Sequence, residues 1–382
     1  MRGPVVGTIP PRDRDKRSRG FPMWLYVYIT VFLTGLVLSL FLTPLSGMIA
    51  RRFSVISIPS ERSVHKHPMP LLGGLGIYFS ILITTIGGIV IVKSNLLPAF
   101  LSEYIPGIRS IMGKLFAVLS GGAVVVAFGV VDDVKTLRAR QKLLLQIIAA
   151  LIIFSAGIRI SLTGHLSSLV LTVFWLILMM NSFNLMDNMD GLSAGVAFIS
   201  GAILFIFALM MKQLFVATLL AVFLGSVAGF LRYNFPPAKI FMGECGSAFL
   251  GYFLGTTAIL LTFYRYAEHQ TFLPIFAPLV VFSVLFFDTL SVIWIRRKRG
   301  LPVFQADRNH LSHRLVGLGM TNKQAVLFIY LLTLCTGIGA LLLGSLNIFG
   351  GFIILLQVFI VLAIVGILEM AGRNKERNEN GR

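Results

Sequence analysis

A chain of 382 residues that is 56% hydrophobic and only 13% charged excludes a soluble globular protein, because soluble domains carry roughly 25% charged residues. A mean hydropathy of +0.88 and long apolar runs point instead to an all-α, polytopic membrane protein. The net charge of +18 fits loops beside anionic lipid rather than a nucleic-acid surface, and two lone cysteines, Cys245 and Cys335, exclude a disulfide framework and a thiolate zinc site.

Residues 1–22 are basic and Pro-rich without apolar periodicity, and read as a disordered tail. The apolar run that follows carries no small-residue cleavage site and reads as a permanent span. A crossing takes roughly 17–25 apolar residues. That requirement predicts about eleven spans, near 23–45, 72–92, 111–131, 143–160, 165–182, 194–211, 213–231, 247–264, 272–295, 325–344 and 349–370. Residues 23–370 then form one multi-span domain, followed by a charged tail at 371–382, with no soluble domain and no internal repeat.

Alternation puts 46–71, 132–142, 183–193, 232–246, 296–324 and the C-terminal tail on one side. These hold 21 Lys and Arg, against 6 in the opposite connections and 6 in the N-terminal tail. The positive-inside rule makes the first side cytoplasmic. An odd span count leaves the N-terminal tail outside despite its charge, a conflict that a start at Met23 would remove.

Every stretch with chemical content falls on that cytoplasmic side. Asn184-Leu-Met-Asp187-Asn-Met-Asp190-Gly191 closes an apolar run with two carboxylates and an amide. Ionisable groups at membrane depth are expensive and functional by default. The spacing of Asp187 and Asp190 places them on one face of a helical turn, suited to a hard cation held by one or two carboxylates and substrate phosphates. A helix cap with stray acids is the plainer reading. The first loop, Arg62-Ser-Val-His65-Lys66-His67-Pro68 before Gly73-Gly74, offers cations and close backbone approach to a phosphate, or else a positive stop and a turn. Asp132-Asp133 closes the third span, and these adjacent acids call for a cation, either Lys135, Arg138, Arg140 and Lys142 or a metal, with an ordinary solvated helix end as the plainer alternative. Gly243-Glu244-Cys245-Gly246-Ser247 opens the eighth span with backbone N–H groups at a positive dipole end, an anion site or only a cap. In Asp307-Arg308-Asn309-His310-Leu-Ser312-His313-Arg314-Leu315 the two histidines, three apart, share a helical face with Arg314 nearby and make a phosphate-donor cluster. A zinc pair is the alternative, without the Glu of His-Glu-x-x-His.

In this order the stretches resemble the polyprenyl-phosphate N-acetylhexosamine-1-phosphate transferases, from about Pro59 to Leu315. The resemblance implies that a lipid phosphate attacks the β-phosphorus of a UDP-N-acetylhexosamine and UMP leaves, with Mg²⁺ required and Mn²⁺ able to replace it. Asp132 and Asp133 match the family's paired catalytic acids, and Asn184, Asp187 and Asp190 its nucleotide and metal segment. Lys142 stands where the family places a functional lysine, and His310, His313 and Arg314 match its donors near the sugar nucleotide. Arg62 and His65 join them as substrate contacts, and Asp187, Asp190 and Glu244 make the implied metal set. Two positions depart from the pattern. Glu244 replaces the usual Asp, and Leu71-Leu72 stands where a basic residue often precedes the Gly pair. His310-Leu-Ser-His313 is closer to the branch using UDP-N-acetylglucosamine and undecaprenyl phosphate than to the muramoyl-pentapeptide branch, with its run of histidines. The implied setting is the bacterial cytoplasmic membrane, with the active site facing the cytoplasm and lipid-linked cell-surface glycan as the destination. The implied partners are the two substrates and the bilayer, with a homodimer left open and nucleic acid excluded.

Two other functions compete. A CDP-alcohol phosphotransferase shares Asp-x-x-Asp-Gly, but Leu192-Ser-Ala-Gly195 follows here in place of Ala-Arg and a later acid pair. A transporter places charged residues at helix breaks near the bilayer midplane, whereas these lie in loops on one face.

Overall fold

The computed structural model describes residues 11–59, 67–94, 105–161, 164–261, 272–302 and 309–379. Helices dominate, beginning with α1 (Pro11–Arg52), α2 (Gly73–Lys93), α3 (Ile105–Val134) and α4 (Ala139–Ser155). They continue through α5 (His165–Met186), α6 (Leu192–Met210), α7 (Leu214–Asn234) and α8 (Gly243–Leu260). A 3₁₀ turn (Leu273–Phe276) leads into α9 (Ala277–Val281), then α10 (Ser283–Lys298), α11 (Leu311–Gly317), α12 (Asn322–Leu342) and α13 (Ile348–Glu379). Two short strands, β1 (Ile56–Ser57) and β2 (Met69–Pro70), pair antiparallel with Ile56 opposite Pro70.

Among the described residues, eight helices are long and apolar enough to cross a bilayer, and nine if Leu273–Val281 and Ser283–Lys298, bent by 67°, make one span. The expected eleven exceeds this by two for a local reason. Helices stand at both missing places, but α4 has 17 residues and α8 has 18, and α8 opens on a polar turn. The N-terminal helix begins at Pro11, inside the expected tail, and the last runs to Glu379, past the boundary set at 370.

In lipid, helices are drawn together by close packing at small residues rather than by the hydrophobic effect. A Cβ on Gly225 of α7 would stand 2.0 Å from the Phe32 carbonyl oxygen of α1, which explains how closely that pair lies. The same device makes α8 the hub. A Cβ on Gly129 of α3 would meet the Cys245 Cα at 2.3 Å, one on Gly74 of α2 the Gly246 Cα at 2.2 Å, and one on Gly251 the Met179 carbonyl of α5 at 2.3 Å. Phe249, Tyr252 and Phe253 of α8 are buried, and Trp175 of α5 donates to the Gly255 carbonyl at 3.0 Å. Large apolar side chains such as Phe41, Phe349 and Phe359 stand outward on α1 and α13, the surface a lipid environment covers. Packing around α8 gathers its N-terminus with the C-termini of α3 and α5 and the N-terminus of α2.

Candidate active site

The site grows from the Asp187 segment. Helix α5 ends at Met186 because the chain turns sharply, and Gly191 takes a left-handed conformation (φ +74°) before α6. That turn is held at three points. Gly191 N–H donates to Asn234 Oδ1 at 3.0 Å, Ala238 N–H donates to Asp190 Oδ2 at 2.9 Å, and the Tyr330 hydroxyl of α12 donates to the Gly191 carbonyl. Asp187 and Asp190 are therefore fixed by α7 and α12 as well as by their own helix.

Three further elements bring charge to it. At the end of α3, Asp132 Oδ1 accepts Leu137 N–H at 2.7 Å, and its Oδ2 pairs with Lys142 Nζ at 2.8 Å. Lys142, in the first turn of α4, also reaches Glu244 Oε2 at 3.2 Å. Asn184 of α5 donates to the same Glu244 oxygen at 2.6 Å and to Ser247 Oγ at 3.1 Å. Asp133 turns the other way and takes the N-terminus of α8, accepting Glu244 N–H at 2.7 Å and Cys245 N–H at 3.2 Å. Gly243 (φ +73°) permits this, since a Cβ there would lie 2.4 Å from Asp133 Oδ2.

Two expectations about backbone N–H groups change as a result. The positive end of α8 meets the Asp133 carboxylate, so at Glu244 and Cys245 the turn is a cap made by a distant acid. The N–H groups of Gly73 and Gly74 donate to the carbonyls of Phe241 and Met242, so the Gly pair serves helix approach. Arg62 and His65, expected in the first loop, lie outside the described residues.

No donor meets the Asp187 carboxylate among the described residues. Burial, then the negative charges of Asp133, Glu244 and Asp190, push it up to about 7. An acid raised by three neighbouring acids is where a cation would be most stabilising. Among the described residues, no three His, Cys, Asp or Glu side chains stand close enough to hold a metal ion by themselves. The donor set still fits Mg²⁺, a hard ion that usually takes one or two carboxylates and completes its shell with water and substrate phosphates.

A second cluster adjoins the first through Asn188, whose Oδ1 accepts from the Ser312 hydroxyl at 2.5 Å. His310 precedes α11 in extended conformation, so it does not share a helical face with His313 as the spacing predicts. Its Nδ1 lies 3.0 Å from Asp288 Oδ2. Arg314, expected as a phosphate donor, points into the protein: it donates to the Asn309 carbonyl and, at 2.8 Å, to Ser291 Oγ, and its Nε pairs with Glu369 of α13 at 2.9 Å. Neither Asp288 nor Glu369 falls in a stretch that the sequence motifs single out. A signal was present, since each is the sole charged residue in its expected span, 272–295 and 349–370.

Fold and site together define an all-helical, polytopic membrane protein with a carboxylate-rich centre built from helix ends. A model of glycosyl transferase family 4 matches residues 115–262. The chain is 30% identical over 354 residues to a probable undecaprenyl-phosphate N-acetylglucosaminyl 1-phosphate transferase of Bacillus subtilis, covering 89% of this chain and 92% of the relative. It is 32% identical over 343 residues to the decaprenyl-phosphate N-acetylglucosaminephosphotransferase of Mycobacterium leprae, covering 83% of each. A phospho-N-acetylmuramoyl-pentapeptide-transferase of Staphylococcus carnosus matches less of it, 31% over 257 residues and 61% of this chain. The chain belongs to glycosyl transferase family 4, nearer its N-acetylglucosamine-1-phosphate relatives than its muramoyl-pentapeptide ones.

Proposed function

We propose that this protein transfers N-acetylglucosamine 1-phosphate from UDP-N-acetylglucosamine to a polyprenyl phosphate and releases UMP. The lipid phosphate oxygen bonds to the β-phosphorus, and the bond from that phosphorus to the oxygen of UMP breaks. Phosphoryl transfer of this kind needs alignment and charge neutralisation more than a strong base. The lipid phosphate, with a second pKa of about 6, is already mostly dianionic at neutral pH. The observation that carries the reading is Asp187, an acid without a donor among the described residues, crowded by Asp133, Asp190 and Glu244.

Asp187, Asp190 and the Glu244 oxygen left by Lys142 and Asn184 are the groups that would hold Mg²⁺. When bound, Mg²⁺ or Mn²⁺ neutralises the diphosphate and the departing UMP. Lys142 balances Asp132 and Glu244 and is placed to meet a phosphate as they turn to the substrates. Asp133 holds the start of α8 so that Glu244 faces Asn184. His310 and His313 contact the sugar nucleotide, Arg62 and His65 are further substrate contacts that the family resemblance implies, and Arg314 serves by anchoring α11. Helices α4 and α8 are read as crossings too. At about 1.5 Å per residue they span roughly 25–27 Å, close to the hydrocarbon thickness of about 30 Å. Eleven crossings put the site on the cytoplasmic side with the Lys- and Arg-rich loops.

The test is to incubate purified protein and polyprenyl phosphate with a panel of UDP-sugars and to identify the nucleotide released. UMP from UDP-N-acetylglucosamine, dependent on divalent metal, is expected. Release of UDP would mean a different bond is cut and would refute the reading.

A further inference from the structure

Asp288 lies in the second half of the bent span and is 2% exposed. A carboxylate in such a place needs strong compensation. Its two oxygens do different work. Oδ1 accepts the N–H of Leu311, the first residue of α11, at 2.6 Å. Oδ2 stands 3.0 Å from His310 Nδ1, on a ring that is itself buried. A carboxylate accepts, so Nδ1 carries a proton and Nε2 occupies the opposite edge of the ring. No hydrogen bond holds Nε2 among the described residues. Because the backbone at His310 is extended, the Asp288 contact rather than helical geometry aims the ring. Capping a seven-residue helix needs one acceptor, which a local Ser or Asn supplies more cheaply. The second oxygen, spent on an imidazole, is what a cap leaves unexplained.

We propose that Asp288 is a positioning residue for the transfer: it fixes the tautomer and aim of His310, so that Nε2 is the atom offered to a diphosphate oxygen of the sugar nucleotide. The inference rests on the reading of His310 as a substrate contact. A carboxylate behind a histidine sets tautomer and orientation in metal sites and in hydrolytic triads alike.

A double-mutant cycle on the purified protein tests it. Asp288→Asn keeps the shape and one oxygen for Leu311, and His310→Ala removes the ring. Each is expected to lower kcat/KM for UDP-N-acetylglucosamine on the order of 10–100-fold, the range seen when the carboxylate behind a ligating histidine is lost. The KM for polyprenyl phosphate should stay unchanged, and the double variant should be no worse than His310→Ala alone. Additive losses would overturn the proposal and leave Asp288 as a cap. A His310→Ala variant with parental kinetics would sink the reading of His310 and the proposal with it. A second readout needs no Asp288 variant to fold: the nitrogen NMR shifts of isotope-labelled histidine in the parent, with the His310 signals assigned by their loss in His310→Ala. A protonated Nδ1 is expected, and a neutral ring protonated only at Nε2 would overturn the proposal.

Discussion

Asp187 is the residue whose chemistry should be easiest to see in isolation. An ordinary aspartate titrates near 3.9, and this one is pushed up to about 7 by burial and by the acids around it. The folded protein therefore holds a proton there that the unfolded chain has already released. Stability from this group is complete below about pH 4 and is lost as pH rises through about 7. In chelator, the Tm of solubilised protein should fall between about pH 5 and about pH 8, and Asp187→Asn should flatten that slope. An unchanged slope in Asp187→Asn would show that the group does not carry the effect. Glu244 makes a second prediction. Its extra carbon, roughly 1.5 Å of reach, lets one oxygen take both Lys142 and Asn184. Glu244→Gln should lower kcat and raise the Mg²⁺ needed for half-maximal activity, whereas Glu244→Asp should retain measurable activity with an altered Mg²⁺/Mn²⁺ preference. Identical metal titrations for the parent and Glu244→Gln would remove Glu244 from the metal set.

Among the elements, α11 has the most to lose. It is seven residues long, and its ends depend on groups from elsewhere: Asp288 at its start, with Ser291 and Glu369 holding Arg314. Removing one partner of a buried ion pair costs about 3–5 kcal/mol, because the other charge stays buried. Glu369→Gln should thus lower Tm markedly and reduce activity, although Glu369 lies far beyond the stretch matched by the family model. A variant with parental Tm would show that α13 does not support α11. The helices were legible in the sequence because crossing a bilayer demands long apolar runs, and a helix stands at each expected span. For His310 and Arg314 the sequence shows two polar groups close together but not the contacts they make. Spacing of three implies a shared helical face only where the chain is helical, and at His310 it is extended. The partners Asp288 and Glu369 are hidden because the length of an apolar run predicts a span without using the lone acid within it.

At the scale of the whole molecule, the bundle converges on the α8 N-terminus, and this convergence no local pattern announces. The paired acids show how. In sequence Asp132 and Asp133 are equivalent neighbours, but in the fold one pairs with Lys142 and the other caps α8, because successive residues on a helix point in different directions. Gly251→Val would drive a Cβ toward the Met179 carbonyl and separate α8 from α5. Loss of a monodisperse folded species is expected, and normal yield with full activity would contradict the hub role of α8. Sidedness can be read from introduced thiols. Lys239→Cys should react with an impermeant reagent only from the cytoplasmic face and Arg109→Cys only from the other, and the reverse pattern would overturn the orientation drawn from the Lys and Arg count.

Sugar-1-phosphate transfer is distinguished from other reactions of a UDP-sugar by which phosphorus moves. UDP-N-acetylglucosamine radiolabelled at the β-phosphorus, incubated with polyprenyl phosphate, Mg²⁺ and the purified protein, follows that atom directly. Label is expected to pass to the lipid while unlabelled UMP is released, and Asp187→Ala is expected to abolish the transfer. Label retained in a released nucleotide, or transfer undiminished in Asp187→Ala, would contradict the proposed function.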